Sequence, residues 1–138
     1  MATSVTAPNP SSSRHQHVVI TGGAGFIGQA LANALLARGA RVTIFDRHER
    51  NAAVLPRPQL TIVSGDVGVR GSYDALEAAG PHDAVIHLAA QTSNRVSHEE
   101  PERDIDTNAR GTLLVTEWCC ARGIRRLIYS SSMAVYGH

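Results

Sequence analysis

The 138-residue chain has a formal net charge of +1, with 43% hydrophobic and 18% charged residues, an ordinary balance for one globular domain. So small a charge argues against nucleic acid or a membrane surface as partner, since those need a basic face, and no apolar run approaches a bilayer span. All thirteen Lys plus Arg residues are arginine, so lysine-dependent chemistry is absent from this chain. Residues 1–16, rich in Ser, Thr, Pro and Asn, hold no apolar segment of the secretory kind and are expected to form a flexible tail ahead of a domain spanning 17–138.

The first strand is expected at 17–21. It runs into Thr21-Gly22-Gly23-Ala24-Gly25-Phe26-Ile27-Gly28 and a helix ending near Arg38 before Gly39. Phe26, Ile27, Leu31, Leu35 and Leu36 stand near helical spacing and are expected to cover the sheet. Strand two is Arg41 to Asp46, followed by a polar loop from Arg47 to Pro58 with one possible helical turn. Strand three is Leu60 to Ser64, leading to Gly65-Asp66-Val67, and a short helix covers Ser72 to Ala79. Strand four is expected from Ala84 to Ala90 and a loop from Gln91 to Pro101. A long helix then runs from about Glu102 to Arg122, and strand five covers Arg125 to Ser130.

Alternating strands and helices predict an α/β fold with a doubly wound parallel sheet. Right-handed crossovers give the Rossmann-type strand order 3-2-1-4-5. A ligand crevice then lies beyond the strands' carboxyl ends, at the reversal between strands one and four. The residues expected there are Gly22, Asp46, Asp66, Ala89 to Thr92, and Ser130 to Ser132.

A glycine cluster between a strand and a helix lets a phosphate approach bare backbone, and the helix start carries unpaired N–H groups and partial positive charge. Asp46 closes the next strand at the spacing of the dinucleotide fingerprint. Its carboxylate can accept from both adenosine ribose hydroxyls and would repel a 2′-phosphate, which favours NAD over NADP. Arg47 beside it is the residue that would instead pair with such a phosphate. Asp66 is a candidate for the adenine amino group, and Ala89-Ala90 suits a backbone passing close to the cofactor. His87 reads as a hydrogen-bonded core histidine rather than an acid or base. Trp118 with Leu113, Leu114 and Val115 reads as a packing face. The adjacent Cys119 and Cys120 make no disulfide framework and lack zinc-site spacing, so a reducing, cytoplasmic setting without a metal is expected. The three serines after strand five offer a hydroxyl to a substrate oxygen.

These segments, with His87-Leu88-Ala89-Ala90-Gln91, Asn108-Ala109-Arg110-Gly111-Thr112 and Ser130-Ser131-Ser132-Met133-Ala134-Val135-Tyr136-Gly137, resemble the extended short-chain dehydrogenase/reductases. The likeness is to the NAD-dependent epimerases and dehydratases of sugar nucleotides, and the last segment is most similar to the UDP-sugar epimerase branch. The resemblance implies that the backbone of Phe26 and Ile27 faces the pyrophosphate, with Gly22, Gly25 and Gly28 shaping the turn. It implies that Asp46 holds the ribose, that Asp66 and Val67 hold adenine, and that Leu88, Ala89, Ala90 and Gln91 line the cofactor's middle. Thr107 and Asn108 would serve the nicotinamide side, and Ser132 matches the catalytic serine.

The family's proton-transfer step uses a tyrosine with a lysine four residues later, which this chain lacks. Glu77 follows Tyr73 and Met133 follows Tyr129 at that spacing, and Tyr136 belongs to the Val-Tyr-Gly turn. The expectation is therefore an N-terminal portion of a longer enzyme, inactive alone, cut after strand five and without its substrate subdomain. The parent would bind a nucleotide sugar and form a homodimer, whereas the isolated chain would associate or dissolve poorly through an open strand edge. Two further readings are a non-catalytic NAD(P)-binding sensor module and an NADP-dependent reductase acting on a non-sugar carbonyl.

Overall fold

A computed structural model describes residues 16–48 and 57–137. The expected tail at 1–16, apart from Gln16, and the middle of the loop after Arg47 lie outside the described residues. Strands β1 (His17–Thr21), β2 (Arg41–Asp46), β3 (Leu60–Ser64), β4 (Ala84–His87) and β5 (Leu127–Tyr129) form one parallel sheet in the order β3-β2-β1-β4-β5. The doubly wound architecture and its strand order are those expected from the alternating pattern.

Among the described residues five α-helices connect the strands: α1 (Phe26–Ala37), α2 (Tyr73–Ala78), α3 (Asn94–Glu99), α4 (Pro101–Ile105) and α5 (Gly111–Ala121). Successive β1 residues point to opposite faces, so the sheet builds two cores. Val18 and Ile20 pack with Ala32 and Leu36 of α1, while Val19 packs with Leu76 of α2 and Leu114, Val115 and Trp118 of α5. Among the described residues no helix is long and apolar enough to cross a membrane.

The structure corrects several local expectations. Phe26 and Ile27 are 94% and 64% exposed; they open α1 beyond the strand ends, while Leu36, with Leu31 and Leu35 partly buried beside it, covers the sheet as expected, together with Gly28 and Ala32. Leu113 is likewise exposed, so the α5 packing face is Leu114, Val115, Trp118 and Cys119. The segment read as loop at 91–101 contains α3, whose N-cap Ser93 accepts the Val96 amide. The long helix begins at Pro101 and is broken by one π turn, Asp106–Arg110, in which the Gly111 amide reaches back five residues to the Asp106 carbonyl.

Strand four ends at His87 rather than Ala90. Leu88 N–H makes the last ladder bond, to the Thr21 carbonyl at 3.1 Å; beyond it the amides turn to side chains, Ala89 N–H to Thr21 Oγ1 at 3.2 Å and Gln91 N–H to Asn108 Oδ1 at 2.8 Å. Strand five is also shorter than expected, 127–129, and forms one outer edge of the sheet.

Candidate functional site

The reversal of strand order leaves a cleft of about 250 Å³ beyond the carboxyl ends of the strands. Gly22, Ala24 and Gly25 form its floor, with Asp46, Arg47 and His48 on one side. Gly65, Asp66 and Val67 follow β3, Leu88, Ala89 and Ala90 follow β4, and Thr107 comes from the π turn. The cleft stops short of Phe26, Ile27, Gly28, Gln91, Asn108 and Ser132.

Glycine is required at the floor for two reasons. Gly22 has φ +67°, and a Cβ there would stand 2.7 Å from the Ala89 nitrogen, so the loop and the β4 extension touch through backbone. A Cβ on Gly28 would lie 2.5 Å from the Gly22 carbonyl oxygen. Close packing at both points directs the start of α1 at the cleft. That start has Gly25 as N-cap, no side-chain cap and no acidic residue in its first turn. Its first ladder bond is Gln29 N–H to Gly25 O at 2.9 Å, leaving the preceding amides in the position that accommodates an anion.

The Asp46 carboxylate stands against this loop. Its Oδ2 accepts the Ala24 amide at 3.0 Å and its Oδ1 the His48 amide at 2.9 Å. Each carboxylate oxygen offers about two acceptor positions, so one remains on each oxygen, matching two vicinal hydroxyls. Asp66 folds its own loop by accepting the Gly68 amide at 2.8 Å, and Arg47 Nη1 reaches its other oxygen at 3.4 Å. Arg47 thus spans from β2 to the β3 loop.

Some of what positions the cleft was not singled out in the sequence. Tyr73 is buried and donates to the Val67 carbonyl at 2.9 Å. Burial pushes its phenol above the ordinary tyrosine range, so it acts here as a donor and not as a base. A Cβ on Gly68 would meet the Asp106 carbonyl oxygen at 2.8 Å, and one on Gly111 would meet Val67 Cγ2 at 2.7 Å. These two close approaches seat the π turn on the β3 loop and bring Thr107 to the cleft. Gly111 lies in a recognisable motif; Gly68 and His48 carry no local signal.

Asn108 exchanges two bonds with the Gln91 backbone, at 2.8 and 2.9 Å, and donates to Asp104 Oδ1 at 3.1 Å. Ser132 is exposed in the turn after β5, just ahead of a short 3-10 turn, Met133–Tyr136.

The sequence profile of the NAD dependent epimerase/dehydratase family matches residues 18–138. This chain belongs to that family. It is 36% identical over 138 residues to a probable UDP-arabinose 4-epimerase 3 of Oryza sativa subsp. japonica, with 91% of this chain and 34% of the relative covered. It is 36% identical over 128 residues to a dTDP-L-rhamnose 4-epimerase of Burkholderia thailandensis, with 87% and 35% covered.

Among solved structures, an epimerase of Methanothermobacter thermautotrophicus superposes with a TM-score of 0.77 at 34% identity, covering 86% of this chain and 36% of that one. A Thermus thermophilus UDP-glucose 4-epimerase in complex with NAD gives 0.74 at 32% identity, covering 85% and 38%. The chain therefore spans about a third of the length of the curated relatives it matches.

Proposed function

We propose that this chain is the cofactor-binding portion of a nucleotide-sugar 4-epimerase and that its dinucleotide is NAD. The observation that carries this reading is the Asp46 carboxylate, which keeps two spare acceptor positions while it is fastened to the glycine loop at an uncapped helix start. That combination fits a diphosphate joined to a ribose with both hydroxyls free. A 2′-phosphate would instead meet the Asp46 charge, and Arg47, the cation able to offset it, is engaged with Asp66. The names of the similar epimerases support a UDP- or dTDP-sugar as substrate.

When bound, NAD supplies a reversible hydride acceptor for a sugar carbon. The chain's residues divide the work of holding it. The amides of Phe26 and Ile27 and the glycines 22, 25 and 28 receive the diphosphate. Asp46 takes the ribose hydroxyls, Asp66 and Val67 the adenine edge, and Leu88 to Gln91 wall the middle. Thr107 and Asn108 shape the nicotinamide side. Ser132 donates to the sugar oxygen and stabilises charge developing there. A phenol with a pKa near 10 needs a neighbouring cation to act as base near neutrality, and no Tyr-x-x-x-Lys pair exists within these 138 residues to provide one.

Calorimetric titration of the folded chain with NAD and with NADP tests the proposal. Heat from NAD, with weaker binding of NADP, is the expected result. No heat from either coenzyme at millimolar concentration overturns it.

A further inference from the structure

His87 is 1% exposed, and both ring nitrogens are engaged. Thr21 Oγ1 lies 2.6 Å from Nδ1 and Thr112 Oγ1 lies 3.1 Å from Nε2. Proton counting decides which nitrogen is protonated. The single hydroxyl proton of Thr112 goes to the Asn108 carbonyl oxygen at 2.7 Å, because a carbonyl can only accept. Thr112 Oγ1 must then accept from the ring, so Nε2 carries the proton. Burial, with no charged neighbour contributing, holds the ring below the ordinary histidine pKa, which leaves Nδ1 bare. Thr21 donates to it, and Thr21 Oγ1 in turn accepts the Ala89 amide at 3.2 Å.

Four bonds therefore point one way: Ala89 N–H to Thr21, Thr21 to His87, His87 to Thr112, and Thr112 to the Asn108 carbonyl. The chain starts at a wall of the cleft and ends at the residue whose side chain fastens Gln91. The opposite tautomer would set a bare Nε2 against the lone pair of Thr112 and turn the Thr21 proton away. The Tyr129 ring of β5, with its centroid 5.7 Å away, makes a ring contact with His87.

We propose that His87, as its Nε2–H tautomer, is a positioning residue that ties the Ala89 wall of the cleft to the Asn108 turn. If the cleft is the NAD site argued above, His87 thereby raises the affinity for the dinucleotide. The backbone clearance between Ala89 and Gly22 leaves no room for a Cβ, so a small shift of Ala89 closes the floor.

Long-range proton–nitrogen NMR on the labelled chain reads the tautomer directly. The expected His87 pattern is neutral Nε2–H, persisting at pH 6.5, the ordinary histidine midpoint. An Nδ1–H pattern, or a midpoint at or above 6.5, overturns the assignment. Thr112→Val removes the acceptor at constant shape and should both mix the tautomers and weaken NAD by about tenfold. Thr116→Val removes a similar hydroxyl-to-carbonyl bond one turn on, Thr116 Oγ1 to Thr112 O at 2.8 Å, and should change neither reading. A folded Thr112→Val chain with unchanged NAD affinity overturns the positioning role. Failure of the unsubstituted chain to bind NAD overturns the cleft reading and the affinity effect together, while the tautomer measurement still decides the hydrogen-bond chain.

Discussion

Gly28 and Gly22 meet backbone to backbone: a Cβ on Gly28 would stand 2.5 Å from the Gly22 carbonyl oxygen and 2.6 Å from Gly23 Cα. Neither contact is with a movable side chain. Gly28→Ala must therefore displace the glycine loop or lift α1 from it. The expected loss is about 2 kcal/mol or more in urea unfolding. Gly25 is a useful contrast, because its φ of −76° suits any residue and an added Cβ would stand 3.2 Å from the same oxygen. Gly25→Ala should cost less than about 1 kcal/mol. Equal losses at the two positions would contradict this account of the turn.

Asp46→Asn separates the carboxylate's charge from its shape. One oxygen remains to accept from the loop, and the other becomes a donor group facing the His48 amide or the ribose. With charge-assisted bonds contributing about 1.5–3 kcal/mol each, NAD affinity should fall by about ten- to a hundredfold, with a smaller change for NADP. Calorimetry with both coenzymes gives the ratio directly. A ratio that does not move would mean that Asp46 does not face the adenosine ribose.

How far the sequence is legible depends on how local each cause is. The glycine spacing, Asp46 and the alternating apolar runs act within a strand or a turn, so they reveal the strand order and the cleft's place. Ser93 caps α3 locally, but the polar stretch around it has only Val96 as an apolar anchor. Residues 88–90 look like strand because they are apolar. What releases them is Thr21, 68 residues from Ala89, and Asn108, 17 residues from Gln91. The π turn has the same kind of cause, since Gly68 and Gly111 determine how closely two distant segments approach. Phe26 and Ile27 satisfy helical spacing, yet spacing does not say where the sheet ends.

Tyr73 supports the Val67 side of the cleft from beneath. Its hydroxyl bonds the Val67 carbonyl at 2.9 Å inside the α2–α5 core, with its ring between those of Phe45 and Trp118. Tyr73→Phe keeps the packing and orphans a buried carbonyl. A loss of about 1–2 kcal/mol is expected, with NAD weakened several-fold as Val67 relaxes. Urea unfolding and coenzyme titration of one preparation would separate the two effects. An unchanged stability would show that the Val67 carbonyl finds another donor.

His82 gives the fold an acid limit at the end of the sheet opposite the cleft. Its ring lies 4.3 Å from that of His17 and 5.7 Å from that of Trp118, and its Nε2 has no hydrogen-bond partner among the described residues. His17 donates from Nδ1 to the Pro81 carbonyl and pairs through Nε2 with Thr43 Oγ1, each at 2.8 Å, and burial first holds its own pKa below the ordinary histidine value. Burial first, then His17 and Arg41, lower the His82 pKa from 6.5 to about 4, against a smaller opposing pull from Asp83. Between those two values the unfolded chain binds the proton and the folded chain does not, so stability rises with pH across the window. Acidification from pH 6.5 to about 4 should therefore remove stability, and below about 4 this contribution levels off. For a ring that is only partly buried the loss from His82 is about 1 kcal/mol. Urea midpoints measured across that range should fall with pH, and His82→Gln should flatten the slope. A slope unchanged by the substitution would assign the acid sensitivity to other groups.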